Sequence, residues 1–330
     1  MAEPTFSAVV LRDKGGQVSA AIETLGNVDL PKGDVQVAID YSSLNYKDAL
    51  AITGAGKVVR TLPMIPGIDL AGTVEKSTSP QFNRGDKVIL TGWGLGESWW
   101  GGFAERAAVQ SEWLIPNPHG MTPKQAMGFG TAGFTAALAI DSLEQHGLDK
   151  TREILVTGAA GGVGSVAIAM LARLGYRIVA STGRLELKSY LEGLGAESVI
   201  ARDVLSMPAK PFQSERWGAV IDTVGGQTLA SATAAVCERG AIAVCGMTGG
   251  TTIPASVLPF ILRGVIWLGI ESVRCPARDR ARIWSRLAST FPDGLPGNIV
   301  HEIPLEDVFS NAEAFLSGTV RGRTVVRVRG

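Results

Sequence analysis

The sequence predicts a two-part α/β protein, with a parallel sheet flanked by helices set into a chain whose other part is mainly β. Three observations carry this expectation. From 152 to 270, apolar strand patterns alternate with helix-period segments across short loops, the rhythm of a parallel sheet with right-handed crossovers. Before about residue 122, short strand patterns are separated by Gly and Pro turns. After Pro276 a helical pattern leads to a closing strand pattern, 322–328, that suits the first part better than the second. The mainly β part is therefore expected to hold residues 1–125 and 273–330, and the parallel-sheet part 126–272, with a ligand cleft between them.

Taken in order, residues 5–11 and 35–41 alternate as strands do, with a turn at Pro31-Lys32-Gly33-Asp34. At Ser43-Leu44-Asn45-Tyr46-Lys47-Asp48 the spacing changes from strand to helix after Asn45. Pro66-Gly67-Ile68-Asp69 reads as a fixed turn entering a strand, 82–90 as a turn and another strand, and 101–107 as a strand restarting after a Gly- and Trp-rich loop. Residues 130–140 are helical in pattern. Then follow strand 152–157, a helix to 174, strand 176–181, helix 184–194, strand 197–200, strand 218–222, helix 227–238, strand 240–245, helix 255–263 and strand 265–270. An amphipathic helix, 278–287, precedes the closing strand.

Composition narrows the class. The chain has 330 residues, is 45% hydrophobic and has a formal net charge of zero. No basic excess exists to neutralise a phosphate polymer, which argues against nucleic acid or an anionic membrane as partner. No basic segment followed by an apolar core opens the chain, and no uninterrupted apolar run approaches the roughly 20 residues of a bilayer span. Cys237, Cys245 and Cys275 lack C-x-x-C spacing, so a cytoplasmic protein with buried thiols is expected.

The most informative stretch is Ile154-Leu155-Val156-Thr157-Gly158-Ala159-Ala160-Gly161-Gly162-Val163-Gly164-Ser165. A β-branched run stops at small residues and a helix follows. Such a loop brings a helix N-terminus and bare backbone N–H groups against a phosphate. The spacing Ala159-x-Gly161-x-x-Gly164 is the dinucleotide fingerprint with Ala first, so this part is expected to be a Rossmann-type domain. Gly161 lets backbone approach a pyrophosphate, and Gly164 lets helix and strand pack closely. The next strand ends in Ser181-Thr182-Gly183-Arg184, where an NAD site would place an acid. A guanidinium beside hydroxyls suits a 2′-phosphate instead, with Arg202 in reach of the same phosphate or of the adenine. The expected cofactor is NADPH.

Several motifs in one order resemble the NADPH-dependent acryloyl-CoA reductases, in the zinc-free quinone oxidoreductase branch of the medium-chain dehydrogenases/reductases. They are Ser43–Asp48, Pro66–Asp69, Leu90-Thr91-Gly92-Trp93-Gly94, Gly130-Thr131-Ala132-Gly133-Phe134-Thr135-Ala136, Thr182-Gly183-Arg184 and Pro259-Phe260-Ile261-Leu262-Arg263. The resemblance implies a GroES-like catalytic domain beside the Rossmann domain. It implies hydride transfer from NADPH to the β-carbon of acryloyl-CoA and protonation at the α-carbon, with quinone reduction or plain NADPH binding as alternatives.

Zinc-dependent alcohol dehydrogenases carry Cys and His-Glu where this chain has Asn45 and Gly67-Ile68-Asp69, so no metal is expected. Asn45 and Tyr46 are the candidate catalytic residues, as donors toward the thioester oxygen, with Tyr46 either orienting the nicotinamide or donating a proton; a helix cap for Asn45 and core packing for Tyr46 are the bland alternatives. Asp48 is expected to fix the helix start or the loop. Tyr46, Ala160, Gly161, Gly162, Val163, Thr182, Gly183, Arg184, Arg202, Met247, Ile261, Ser272 and Ser317 match cofactor-contacting positions of the family. Lys57, Arg60 and Arg323 are candidates for the phosphates of CoA, and Trp93, Trp99 and Trp100 either wall the pocket or cap the fold. The resemblance also implies a homodimer across the apolar strand Val265–Ile270.

Overall fold

The computed structural model describes residues 5–207 and 210–329. The chain divides into two compact units, one of residues up to 131 with 273 onward and one of residues 132–272.

The first unit opens with β1 (Thr5–Lys14) and β2 (Gln17–Gly26), which pair antiparallel along their whole length. There follow β3 (Val35–Leu44), helix α1 (Tyr46–Thr53), β4 (Asp69–Ser77), β5 (Lys87–Thr91), β6 (Arg106–Val109) and β7 (Ile115–Pro116). Helix α2 (Pro123–Gln145) begins in the first unit, continues from residue 132 in the second, and is broken at Gly130, whose φ of 50° and ψ of −156° are not helical. The sequence pattern located only the half beyond this break. Helix α2 has the length and mean hydropathy of a membrane span, but 83% of its most apolar window is buried within the fold. It is a core helix.

The second unit contains β8 (Glu153–Val156), α3 (Gly162–Arg173), β9 (Arg177–Thr182), α4 (Lys188–Gly193), β10 (Ser198–Ala201), α5 (Asp203–Ser206) and β11 (Trp217–Asp222). Next come α6 (Gly226–Ala234), β12 (Val236–Val244), α7 (Leu258–Arg263) and β13 (Ile266–Gly269). The chain then re-enters the first unit with α8 (Ala277–Thr290), β14 (Val300–Pro304), α9 (Val308–Leu316) and β15 (Arg323–Arg327).

The six strands of the second unit lie in the order β10-β9-β8-β11-β12-β13, every neighbouring pair parallel. The order changes direction at β8, so the crevice beyond its carboxyl end is where such sheets take ligands. Val156 pairs with Ala180 on one side and Ile221 on the other, which fixes where each strand delivers its loop. Leu155, Val179, Val220 and Ile242 pack with Leu229 and Val236 as one buried cluster.

The boundary between α6 and β12 differs from the sequence reading. The helix expected over 227–238 ends at Ala234, and Val236 already pairs with Trp217. A run of small residues is compatible with a helix, but burial of β-branched Val236 beside Trp217 favours the strand.

In the first unit β3 is the hub, pairing with β4, β6 and β15. The register Thr324↔Leu44 places the start of β15 beside the end of β3. Val37, Ile39, Leu44, Ala49, Leu70, Leu90, Val308 and Val326 share the main core.

Gly164 shows the close helix–strand approach that its position demands. A side chain there would place its first carbon 2.6 Å from the Gly158 carbonyl oxygen and 2.7 Å from the Ala159 Cα. Both are backbone atoms, so α3 would have to move away from the loop. Gly164→Ala is expected to lower stability by about 1–3 kcal/mol, the usual cost of overpacking, read as the shift in a urea unfolding curve.

Candidate functional site

Asn45 and Tyr46, two of the candidate site residues of the first unit, lie at the junction of β3 and α1. Asn45 follows the last residue of β3 and occupies the cap position of α1. Its side chain points inward and is only 9% exposed. The amide nitrogen lies 3.0 Å from Asp69 Oδ2, 3.2 Å from Asp48 Oδ2 and 3.2 Å from both oxygens of Ser43. The amide oxygen accepts a bond from Arg323 Nη1 at 3.1 Å. Its two N–H hydrogens therefore face buried acceptors. As a donor to substrate, Asn45 does not match this geometry; it positions its neighbours.

Asp69, at the start of β4 and 0% exposed, accepts from Ser43 Oγ at 2.5 Å and from the Thr131 N–H at 2.9 Å, and pairs with the Thr131 hydroxyl. Arg323, at the start of β15, also donates from Nε to the Gly128 carbonyl at 3.0 Å. Burial pulls its pKa down, opposed by the charges of Asp69 and Asp48. Four segments meet here: the β3–α1 corner, the start of β4, the break in α2 and the start of β15. Gly130 permits the meeting. A first side-chain carbon at 130 would lie 2.6–2.7 Å from Asp69 Oδ2, Ser43 Oγ and Arg323 Nη2, in a backbone conformation that L-residues avoid.

This overturns the expectation for Arg323, which is 2% exposed and cannot lie on the surface toward CoA phosphates. Lys57 and Arg60 are exposed. The tryptophans cap the fold: Trp99 and Trp93 pack on the main core, Trp99 meets Trp113 edge-on at 5.1 Å, and its indole N–H donates to Ala108 O. Trp100 packs on two smaller clusters nearer β1. Tyr46, the first residue of α1, faces the other way from Asn45 and is 43% exposed.

In the second unit the expected cofactor residues lie along the carboxyl edge of the parallel sheet. Ala160 and Gly161 end the turn from β8, with Gly161 as the cap of α3, and Gly162 and Val163 open that helix. Thr182, Gly183 and Arg184 follow β9, and Arg202 follows β10. Two contacts bring the last group together. The Arg202 N–H donates to Thr182 O at 2.8 Å. The Arg202 guanidinium lies so close to Gly183 that a side chain there would put its first carbon 3.0 Å from Cζ. Two cations thus flank one short turn, while the Thr182 hydroxyl is held by the Arg184 N–H at 3.1 Å.

Met247 and Ser272 lie beyond the same ends of β12 and β13, and Ile261 is on α7; Met247 and Ile261 are 64% and 70% exposed. Exposure on this scale rules out core packing for both. Ser317, in the first unit, caps α9 and bonds to Ala314 O and Thr319 Oγ1, as an exposed loop serine does.

Sequence reasoning missed the second buried network. Asp222, 0% exposed, accepts from Thr157 Oγ1 at 2.7 Å and from the Gly225 N–H at 2.8 Å, and burial raises its pKa. It ties the fingerprint loop to the loop after β11. The signal was available, since an acid ending an apolar strand needs buried donors.

Among the described residues no group of three or more His, Cys, Asp and Glu side chains is arranged to hold a metal ion. The place where a zinc-binding relative would need thiolate and imidazole holds an amide, two carboxylates and a guanidinium, and that guanidinium already supplies the positive charge. Zinc does not fit.

Arg323→Leu leaves Asp48 and Asp69 buried without their cation, so a loss of about 3–5 kcal/mol is expected. The loss should be larger at pH 8 than at pH 5. Without the guanidinium the folded-state pKa of Asp48 rises further, so the folded form holds a proton that the unfolded chain has released. Stability then falls as pH rises through that window. Urea unfolding at both pH values checks this; an equal loss at both would contradict it.

Two family models match the chain, the alcohol dehydrogenase GroES-like domain over residues 31–119 and the zinc-binding dehydrogenase over residues 162–288. The probable acrylyl-CoA reductase AcuI of Escherichia coli strain K12 is 47% identical, covering 98% of this chain and 100% of that protein. The acrylyl-CoA reductase AcuI of Ruegeria pomeroyi is 46% identical over 98% of this chain and 99% of its own. The YhdH oxidoreductase of Salmonella enterica, solved in complex with NADP, superposes with a TM-score of 0.96 at 45% identity, covering 98% of this chain and 100% of that one. With both domain models matched in order and relatives aligned from end to end, the chain belongs to the medium-chain dehydrogenase/reductase family, in its acrylyl-CoA reductase group.

Proposed function

We propose that this chain is an NADPH-dependent reductase of acryloyl-CoA, forming propionyl-CoA. The observation that carries the reading is the end-to-end match to acrylyl-CoA reductases at 46–47% identity, on a chain whose own site fits a metal-free hydride transfer. Bound NADPH supplies the hydride. The chain's residues bind, orient and exclude water. The loop 160–163 faces the pyrophosphate with backbone N–H groups and the start of α3. Arg184 and Arg202 face the 2′-phosphate with charge-assisted bonds, and Met247 and Ser272, beyond the ends of β12 and β13, with Ile261 on α7, are the further cofactor contacts of this proposal.

Reduction places negative charge on the thioester oxygen after the β-carbon has accepted hydride, so donors fixed in advance lower the barrier. Tyr46 is the outward-facing residue of the β3–α1 corner and is the contact residue; Asn45, turned inward, holds the corner in place. No nucleophile is needed, and orientation supplies much of the rate. The three cysteines are free, in keeping with a cytoplasmic enzyme. Strand β13 is one of the two edges of its sheet, with Ile266 40% exposed and Leu262 61% exposed on the helix before it. An open apolar edge invites a second copy, so a homodimer across β13 belongs to this proposal, as does a small-molecule substrate in place of nucleic acid or membrane.

Purified protein with NADPH and acryloyl-CoA is expected to oxidise the cofactor, and with quinones only slowly. Rapid oxidation with quinone and none with acryloyl-CoA would reverse the assignment. Binding without turnover of either would make the chain an NADPH-binding protein. Arg184→Ala is expected to weaken NADPH about tenfold or more, the size of one lost charge-assisted bond, and to leave NADH nearly unchanged. Equal losses for both cofactors, measured by fluorescence titration, would remove the 2′-phosphate role. Sedimentation at micromolar protein is expected to give a dimer, and a monomer would remove the β13 interface.

A further inference from the structure

Asp48 makes more contacts than a helix start requires. It is 1% exposed. Oδ2 accepts from the Asn45 N–H at 2.9 Å and lies 3.2 Å from the Asn45 amide nitrogen. Oδ1 accepts from the Ile68 N–H at 2.9 Å and the Gly67 N–H at 3.2 Å. Both oxygens are therefore occupied by donors. Protonation would set an O–H against one of them, and the bonds on that oxygen would weaken. In the ionised form the carboxylate bolts two segments together, the first turn of α1 and the turn that leads into β4. Tyr46 stands between the two gripped residues, Asn45 and Asp48.

The charged groups facing Asp48 are Asp69 from β4 and Arg323 from β15. The Pro66–Ile68 turn contributes backbone N–H groups, and α9, against α1, contributes apolar Val308 and Ala312 to the shared core. Burial and, secondarily, the charge of Asp69 push the Asp48 carboxyl up to about 7, against the pull of its N–H donors. The bolt is thus poised to open and close near neutral pH.

We propose that Asp48 is a positioning residue for the reduction: its ionised carboxylate, by joining the first turn of α1 to the Gly67–Ile68 turn, holds Tyr46 in its working orientation and releases it on protonation. The inference rests on the reading that Tyr46 works at the reacting end of the site. Wild-type kcat is then expected to fall on the acid side with a midpoint near pH 7.

The test is Asp48→Asn in the full chain, alone and with Tyr46→Phe, followed through kcat, KM and pH. Alone, the substitution is expected to lower kcat about tenfold or more through misplacement, to abolish the acid limb, and to leave NADPH affinity within about threefold, since Asp48 shares no hydrogen bond with the 160–163 loop, Arg184 or Arg202. On the Tyr46→Phe background it is expected to lower kcat by less than about threefold, because effects relayed through one residue do not add. Equal losses on both backgrounds, or an acid limb that survives Asp48→Asn, would overturn the proposal.

A measurement on the wild-type protein does not need the variant to fold. The backbone amide resonances of Asn45, Gly67 and Ile68 are expected to titrate together near pH 7. Amides that do not move across that range overturn the proposal equally. This arm needs no substrate. Titrating amides in a protein inert toward acryloyl-CoA would refute the proposed substrate and leave the Asp48 bolt standing.

Discussion

Two carboxylates and one guanidinium are held out of water at the β3–α1 corner, and the first unit is arranged around that constraint. Taking each ion from water costs several kcal/mol even after relaxation. That cost is offset where donors meet acceptors, and in this cluster every polar atom but Arg323 Nη2 has a partner. Asp69 receives Ser43, Asn45 and Thr131; Asp48 receives Asn45, Gly67 and Ile68; Arg323 reaches Asn45 and Gly128. These partners come from segments far apart in the chain. Each segment must therefore arrive in one register, and this explains why β15, the last strand, pairs with β3. Thr324 opposite Leu44 is the pairing that delivers Arg323 to Asn45. Gly130 is the corresponding requirement in α2, because any side chain there would occupy the space the ions share.

The second unit meets a different constraint with backbone. Its sheet is buried on both faces, so strand residues serve packing and chemistry is confined to the loops at the carboxyl ends. The fingerprint loop has few side chains of its own and is steadied from below. Asp222 bonds Thr157 and Gly225, Thr223 bonds back to Thr157, and Tyr190 reaches Ser165 Oγ at 2.9 Å in the first turn of α3. A loop that must present bare N–H groups gains its rigidity from these neighbours. The proposed 2′-phosphate selectivity falls to side chains that the backbone brings together. Arg202 lies against Gly183 because no Cβ intervenes, and so shares one turn with Arg184.

What could be read from the sequence follows the range of the interactions. The Gly loop, the strand–helix alternation and the β3–α1 corner are local patterns, and they stand within a few residues of where periodicity put them. β2, β14 and α9 were not read; the first two are half-exposed strands whose alternation is weak, and α9 is a short helix. Arg323 was misread for a stronger reason. An arginine opening a strand between Gly322 and Thr324 looks like a surface residue, and only its pairing with a residue 278 positions earlier shows that it is buried. The Asn45 side chain posed the same problem. Its type suits a cap and a catalytic donor equally, and the choice depends on Asp69 and Arg323, which no local window contains.

The same corner bears on how a site without metal does its work. A zinc ion would be a single compact charge fixing several ligands at once. Here Arg323 is a planar cation that bonds from its edges, so it organises a layer of oxygens instead of gathering ligands around a point. The layer is filled from inside: both hydrogens of the Asn45 amide face buried acceptors, and the ionised Asp48 has donors on both oxygens. Apart from Arg323 Nη2, which has no hydrogen-bond partner, its polar groups are paired from inside, and the residue proposed to meet substrate stands beside the layer. It fixes the direction in which the next residue leaves the corner. That residue is Tyr46, the first of α1 and largely outside the buried layer. A reaction that needs donors aimed at a developing oxyanion gains from rigidity behind those donors as much as from the donors themselves. Electrostatic strain in the buried layer is thus converted into a fixed orientation at its surface.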